Sequence, residues 1–235
     1  FFNWGNVHMC AARKRIPLEE NDVDKSVFNE RLEAAFEWAR TQYEIAREKY
    51  EEALRVKPDF YEGVLALGQE SFENAKLRWS LAMARQLDLA SWDSSETISL
   101  FKHAELAFEM WEVFEDRKIK EIMANSSITI SETPPKLDPR GKRDGQQKLS
   151  ESETKEQLRA TRFQINLFWG NILFEHSQVE FKLGMKSWKT LLDMAVQKFE
   201  LAGASPSDII VVLKNHVANV AYPHDDDGGK VSDAE

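Results

Sequence analysis

Histidine and cysteine side chains are the groups best suited to acid–base, nucleophilic or metal chemistry, and this sequence scatters them. His8, His103, His176 and His216 lie far apart along the chain, and Cys10 is the single cysteine. Neither a His-Glu-x-x-His nor a Cys-x-x-Cys spacing occurs, and no glycine-rich phosphate loop follows a strand pattern. The pattern therefore predicts no catalytic residue, no metal ligand and no cofactor, and we expect a protein that is not an enzyme.

One adjacent pair, Glu175 and His176, lies beside Trp169 in the sequence and is the arrangement that could support catalysis. A structural histidine with satisfied hydrogen bonds is about ten times more common than a catalytic one in such a setting. Cys10 lies near Arg13, which favours a thiolate, but a cysteine in a helix is usually a small apolar residue. Catalysis is therefore the remote alternative.

The composition restricts the partners and the setting of the chain. The 235 residues suit one elongated repeat domain or one large globular domain, and 42% hydrophobic residues can form a sizeable core. The net charge of −9 would repel a nucleic-acid backbone, so we expect no nucleic acid partner. No apolar run is long enough for a transmembrane segment, and a single cysteine favours a reducing compartment such as the cytosol.

Apolar residues recur every three to four positions along most of the chain, which predicts helices that bury one face. The second helical stretch begins after a capping residue, Asn21 or Asp24, and meets no breaker before Pro58. It is either one long helix or a pair broken near residues 40–42, and we favour the long helix. A capping residue, a first-turn proline and an acid, at Ser205, Pro206 and Asp208, begin a short helix.

These patterns predict four regions. Residues 1–124 form helical hairpins, and residues 151–217 form a C-terminal hairpin with a short capping helix that packs as one domain with 1–124. Residues 125–150 are rich in Ser, Pro, Gly and charged residues, which predicts a flexible linker loop. Residues 218–235 are acidic and glycine-containing, which predicts a disordered tail.

An internal similarity points to helical repeats. Residues 2–7, FNWGNV, recur as residues 167–172, LFWGNI. A glycine inside a helix costs roughly 1 kcal/mol, so its recurrence beside a large aromatic residue indicates close contact between helices. Gly5, Gly68 and Gly170, with later alanine and aromatic positions, fit the tetratricopeptide (TPR) pattern at longer spacing. We therefore predict an all-α fold, an antiparallel helical-hairpin (TPR-like) superhelix with elongated helices.

Longer strings make a family resemblance specific. They are FNWGNVHM at residues 2–9 with ARKR at 12–15, DFYEGVLALGQ at 59–69, VEFKLG at 179–184 and KFELAGASP at 198–206. Over nearly the whole chain except 125–150, the sequence resembles the plant family that joins TPR repeats to a Phox and Bem-type ubiquitin-like domain. The resemblance implies a co-chaperone-like segment after that domain, linked to heat-shock chaperones and to cytoskeletal and organelle organisation. It also implies plant cytosol or an organelle surface as the location.

Alignment on the repeat glycines predicts a groove for a protein or peptide partner. Chaperone-docking TPR repeats hold a terminal carboxylate with basic and amide side chains. Here Phe2 and Glu62 occupy positions where a basic side chain is required, so we expect heat-shock chaperones to bind the full-length family member but not this segment. The same alignment defines the predicted groove as Phe2, Asn6, Met9, Glu62, Leu65, Gln69, Phe72, Glu73, Leu167, Asn171, Phe174 and Glu175.

The sequence thus favours a protein–protein interaction module of a co-chaperone-like scaffold protein. The predicted groove is an apolar strip flanked by acids and amides, which suits an amphipathic helix or a basic extended peptide. Two alternatives stay open: long neighbouring helices fill the groove, or the segment is a structural brace or self-association domain for the neighbouring Phox and Bem-type domain.

Overall fold

The structure of the chain is a computed structural model, and it describes residues 1–17, 24–128 and 151–221. Within these ranges the chain is helical and contains no strand, which confirms the all-α prediction. None of the helices there combines the length and the apolar character needed to cross a bilayer. The chain divides into two compact units, Phe1–Arg162 and Phe163–Glu235.

Eight helices form in the described ranges. They are α1 (Phe2–Arg15), α2 (Lys25–Val56), α3 (Tyr61–Ala84), α4 (Ser95–Ile128), α5 (Glu151–Lys182), α6 (Trp188–Leu201), α7 (Pro206–Asn215) and α8 (Val217–Ala221). The first unit contains α1 to α4 and the part of α5 up to Arg162. The second unit contains the rest of α5 together with α6, α7 and α8.

Helix α2 is one continuous helix, as favoured from the sequence. Asp24 is its N-cap residue and accepts a hydrogen bond from the backbone N–H of Ser26 at 2.8 Å. Buried residues of α2 recur every three or four positions along the helix, so they form one stripe that faces its neighbouring helices. The stripe consists of Leu32, Phe36, Ala39, Tyr43, Ala46 and Tyr50.

Successive helices of the first unit run antiparallel, because contacts pair early residues of one helix with late residues of the next. Gly5 of α1 packs against the ring of Tyr50 near the end of α2. The guanidinium of Arg85, just after α3, donates to Glu33 near the start of α2 at 3.1 Å. Arg78, near the end of α3, pairs with Glu96 near the start of α4 at 2.5 Å. The successive helices of this unit therefore form antiparallel hairpins.

The three glycines predicted to mark close helix contacts lie inside helices, each beneath a ring of the following helix. A Cβ atom on Gly5 would come within 2.5 Å of Tyr50, and one on Gly170 within 2.6 Å of Phe199. A Cβ atom on Gly68 would lie 2.8 Å from the Cβ of Ala107, beside the Phe108 ring. Only glycine allows the helix axes to approach this closely.

The second unit shows the predicted caps. Ser205 accepts a hydrogen bond from the Asp208 N–H, and the Asp208 carboxylate accepts one from the Ser205 N–H at 2.9 Å, with Pro206 at the first helical position. Gly203 ends the preceding helix with φ of +79°, a left-handed conformation that suits glycine.

Two helices extend past the region boundaries that the sequence predicts. Helix α4 extends to Ile128, so residues 125–128, assigned to the linker from their polar composition, are helical. Helix α8 extends to Ala221, past the predicted start of the tail at 218, because Ala218 is buried and its backbone N–H donates to the His216 ring at 3.2 Å. The remaining linker and tail residues, 129–150 and 222–235, lie outside the described residues. Packing of 151–217 with 1–124 as one domain stays a prediction.

Replacing Gly68 by alanine should lower the free energy of unfolding by roughly 1 to 3 kcal/mol, because the new methyl group overpacks the contact with α4. Alanine is favoured over glycine by about 1 kcal/mol in an exposed helix, so a loss identifies the tertiary contact as the cause. Urea unfolding followed by circular dichroism measures the change.

The control for this prediction removes the opposing methyl group. Adding Ala107→Gly to Gly68→Ala restores space at the contact, so the two substitutions should be non-additive and the double variant less destabilised than their sum. Additive losses would show that the Gly68 contact does not determine the packing of α3 on α4.

Candidate functional site

The predicted groove residues of α1 contact the neighbouring helices. The half-buried Phe2 ring meets Phe60 edge-on, with centroids 4.8 Å apart. Asn6 accepts a hydrogen bond from the Tyr50 hydroxyl at 2.8 Å. Met9 is buried in the core that α1 and α2 share with α3. These contacts hold helices of the first unit together.

The predicted groove residues of α3 are divided between the core and the surface. Phe72 is buried against α4, whereas Glu62 and Leu65 are half-buried. The Gln69 amide donates to Glu73 at 3.2 Å, one turn further along the helix. Of these five side chains, only Glu62, Leu65 and Gln69 are partly accessible and outside ion pairs, so the surface that they offer is small.

Glu73 is the centre of a polar contact among three helices. The Arg13 guanidinium of α1 donates to its two carboxylate oxygens, at 2.6 Å from Nη2 and 2.9 Å from Nε. The Tyr43 hydroxyl of α2 donates to the same carboxylate at 3.3 Å, and burial raises the pKa of Tyr43, so the phenol keeps its proton. The hydrogen bond with Glu73 in turn raises the pKa of Arg13. Glu73 therefore fixes the register of α1, α2 and α3.

The other predicted groove residues lie in the second unit. Leu167 and Asn171 are exposed on α5, while Phe174 and Glu175 are half-buried. The Glu175 carboxylate accepts a hydrogen bond from Gln178 at 3.4 Å. A single groove that includes residues of both units stays a prediction.

A different groove, which the sequence did not predict, opens in the first unit where α2, α3 and α4 meet. Its volume is about 270 Å³, and most of its lining is apolar. Each helix contributes residues spaced three or four apart, as one helix face does. We name it the observed groove: Arg47, Glu51 and Leu54 from α2, Val64, Leu67 and Ser71 from α3, and His103, Leu106, Ala107 and Met110 from α4.

Arg47 has a fixed position at the edge of the observed groove. Its Nε lies 2.9 Å from Glu70, a carboxylate with no exposed surface, and its Nη2 donates to Ser71 at 3.0 Å. The Asn74 amide also donates to Glu70, at 3.3 Å. Burial raises the pKa of Glu70, and Arg47 opposes this by favouring the carboxylate. The ion pair gives α2 and α3 a defined register.

An exposed apolar stripe on α4 extends the observed groove. Leu106, Met110 and Val113 follow each other at helical spacing and are 52%, 43% and 58% exposed. The sequence carries a signal for this stripe, because α4 holds more apolar residues than one buried face needs. Periodicity does not distinguish which of them a neighbouring helix covers.

Ser177 and His216 form the closest approach to a nucleophile and base in the described residues. The Ser177 hydroxyl lies 3.0 Å from His216 Nε2 and donates to the carbonyl of Phe174 at 2.6 Å. His216 Nδ1 accepts from the backbone N–H of Ala218, so Nε2 carries the proton and donates to Ser177. A histidine in this tautomer does not accept the serine proton. The ring is fully buried and stacks on Trp188, with centroids 5.5 Å apart.

Glu175 and His176, the adjacent pair noted in the sequence, lie on α5. His176 is buried, and its Nε2 lies 3.4 Å from a carboxylate oxygen of Glu180, one turn later on α5. Cys10 is exposed on α1. Among the described residues, no group of three or more His, Cys, Asp or Glu side chains is arranged to hold a metal ion.

Comparison with known proteins finds relatives in plants. The chain is 42% identical over 222 residues to Protein PHOX1 of Arabidopsis thaliana, and 39% identical over 222 residues to an HSP-interacting protein of Zea mays. It is 31% identical over 221 residues to Protein PHOX3 of Arabidopsis thaliana. These alignments cover 92% to 93% of the chain but only 26% to 29% of each relative. No family model matches the chain, and no solved structure matches it.

Burial of His216 predicts a pH-dependent stability. Burial lowers its pKa below the ordinary value of 6.5, so the unfolded chain binds a proton that the folded chain resists. The contribution of neutral His216 to the free energy of unfolding is therefore complete above pH 6.5. It is lost as the pH falls through the lowered pKa, and the free energy of unfolding then changes by up to about 1.4 kcal/mol per pH unit. Urea unfolding between neutral and mildly acidic pH measures it.

The comparison variant is His216→Gln, which cannot titrate and should lose this part of the pH slope. His103→Gln, at an exposed histidine, is the matched control and should keep it. An unchanged slope in His216→Gln would contradict the assignment to His216.

Proposed function

We propose that this chain is a protein–protein interaction module of a co-chaperone-like plant scaffold protein, and that it binds an amphipathic helix of a partner in the observed groove. The partner helix lays apolar side chains three, four and seven residues apart against the exposed stripe of α4. This replaces the predicted groove, whose Met9 and Phe72 pack in the core, as the main docking surface.

The observation that carries the proposal is the apolar stripe on α4 beside the observed groove. Three large apolar side chains lie on one helix face that no other part of the described chain covers. Leu54 and Leu67, half-buried across the groove, offer further apolar contact. The stripe spans eight residues, or roughly 10 Å along the helix axis, which matches two turns of a docked helix.

The relatives support a protein partner. One of them is described as an HSP-interacting protein, and its match includes nearly all of this chain. Glycine-centred hairpins favour a TPR-like architecture, and docking of peptides and helices is the mode that such surfaces use. In the proposed setting, chaperones bind elsewhere on the longer protein, and this segment recruits a cytoskeletal or organelle-surface protein in the cytosol.

A second candidate, a brace or self-association domain, rests on α1. Phe1, Trp4 and Val7 are exposed along one side of this helix. Pairing of two copies through α1 would bury this face. Sedimentation separates the candidates, because self-association gives a concentration-dependent dimer, whereas a monomer favours the binding module.

Site-specific cross-linking tests the proposal. A benzophenone amino acid at Met110 should capture a partner from plant cytosol, while the same group at Ile210 of α7 should not. The captured protein, purified separately, should bind the chain at a ratio of one to one. Leu106→Lys with Met110→Lys should weaken that binding by about a hundredfold or more, since it places two charges in an apolar contact.

The matched control is Ile210→Lys with Val211→Lys, which adds the same charge at similarly exposed apolar residues. It should leave binding within about twofold, because we expect these side chains to lie outside the partner contact. Gln69→Lys with Asn171→Lys tests the predicted groove in the same assay. Loss of binding only in this last variant would move the site to the predicted groove, and equal loss in all three would contradict a defined groove.

A further inference from the structure

A second concave surface lies in the first unit, outside both grooves, where α1 ends and α2 begins. It encloses about 470 Å³ and is formed by the last turn of α1 and one face of α2. Lys14, Arg15 and Arg31 line it, together with apolar surface from Ile16, Pro17 and Ala34. We name it the basic pocket. Its volume lies within the range of small-molecule sites.

The charge of the basic pocket differs from that of the rest of the unit. Among the residues that the structure describes, no acidic side chain belongs to its lining, although the whole chain carries a net charge of −9. Elsewhere in the unit, Arg13, Arg40 and Arg78 all form ion pairs with glutamates. A group of cations without carboxylates in an acidic protein is a local excess of positive charge that an anion would neutralise.

Two of the cations have no counter-ion in the described part of the chain. Neither Lys14 nor Arg31 forms an ion pair there. The Arg15 guanidinium lies 5.7 Å from the centre of the Trp38 ring, a cation–π contact that restrains the side chain and leaves its N–H groups available. The pocket therefore has one oriented guanidinium and two further cations.

Stabilisation of the helix end explains only part of this group. Basic residues in the last turn of a helix interact favourably with its partial negative charge, which accounts for Lys14 and Arg15 at the end of α1. Arg31, the seventh residue of α2, lies opposite the end of α1 and adds a third cation there. One helix end carries only about half a negative charge, so the three cations exceed what it neutralises.

We propose that the basic pocket binds the phosphate group of a phosphorylated serine or threonine in a partner protein. A phosphate monoester carries up to two charges and several acceptor oxygens, and it suits a cluster of arginine and lysine donors better than a single carboxylate does. An anionic membrane surface fits less well, because the net charge of −9 repels it as a whole. The protein source of the phosphate rests on the function proposed above, whereas the phosphate site itself does not.

Titration calorimetry with a short peptide, acetyl-Ala-Ala-phosphoserine-Ala-Ala-amide, and with phenyl phosphate tests the pocket directly. Both probes should bind saturably, and the unphosphorylated peptide should not. Lys14→Gln with Arg31→Gln should weaken binding by about tenfold or more, because it removes two charge-assisted contacts. Binding should strengthen as the pH rises through about 6, where a phosphate monoester loses its second proton.

Controls separate the pocket from general charge and from the observed groove. Arg55→Gln with Lys186→Gln removes the same charge at exposed positions and should leave binding within about twofold, because screened surface charges contribute little at a distance. Leu106→Lys with Met110→Lys should also retain phosphopeptide binding, so failure of the groove would leave the pocket intact. Circular dichroism confirms that each variant folds.

Three outcomes would overturn the proposal. They are no saturable binding by the unaltered chain, equal weakening in the charge-matched control, and binding to phosphatidylcholine vesicles containing a phosphoinositide without binding to the phosphopeptide. The last outcome would assign the pocket to a lipid headgroup.

Discussion

The close approach of paired helices over a glycine is the constraint on which the rest of the first unit depends. Where Gly5 faces Tyr50, the absence of a Cβ atom lets the ring lie across the helix backbone. The Tyr50 hydroxyl then reaches Asn6, and burial raises the pKa of Tyr50 to about 12, so it remains a donor. Gly68 and Gly170 lie in the same way against Phe108 and Phe199, so the glycines allow a close approach in three helix pairs, α1–α2, α3–α4 and α5–α6.

Short separations bring the polar side chains of α3 into contact with both neighbours. Glu70 pairs with Arg47 of α2, and Glu73 pairs with Arg13 of α1. The Glu70 carboxylate has no exposed surface, so removing Arg47 would leave a buried charge unpaired, which is costly. The Arg13–Glu73 pair is partly exposed and adds less stability. The main effect of the two pairs here is to fix the register of three helices, and the observed groove has a defined shape because α2 and α4 are both set against α3.

Local sequence patterns predicted the helices and their caps. The buried stripe of α2, the caps at Asp24 and Ser205, and the close contacts of Gly5, Gly68 and Gly170 all depend on residues near one another in a helix or on a glycine in a known motif. The faces of the helices that remain exposed were not predictable in this way. Alignment placed Met9 and Phe72 on an open face, yet the long helices α2 and α4 cover them. Whether an apolar residue is covered depends on helices distant in sequence, so the periodicity of α4 did not show that Leu106 and Met110 are exposed.

The length of α2 relates the two surfaces of the first unit. Arg31 of the basic pocket and Arg47 of the observed groove are sixteen residues apart on this helix, which corresponds to about 24 Å along its axis. The two arginines also lie about 160° apart around the helix axis, so a linking peptide must pass around α2 and needs more than the roughly seven extended residues that the axial distance alone requires. A phosphate contact alone is weak, since exposed charges are screened by salt, but a partner helix in the groove would hold a linked phosphoresidue at high effective concentration. If the groove and the pocket bind the same partner as proposed above, they would act as one bivalent site, in which apolar contacts supply affinity and phosphorylation of the partner modulates it.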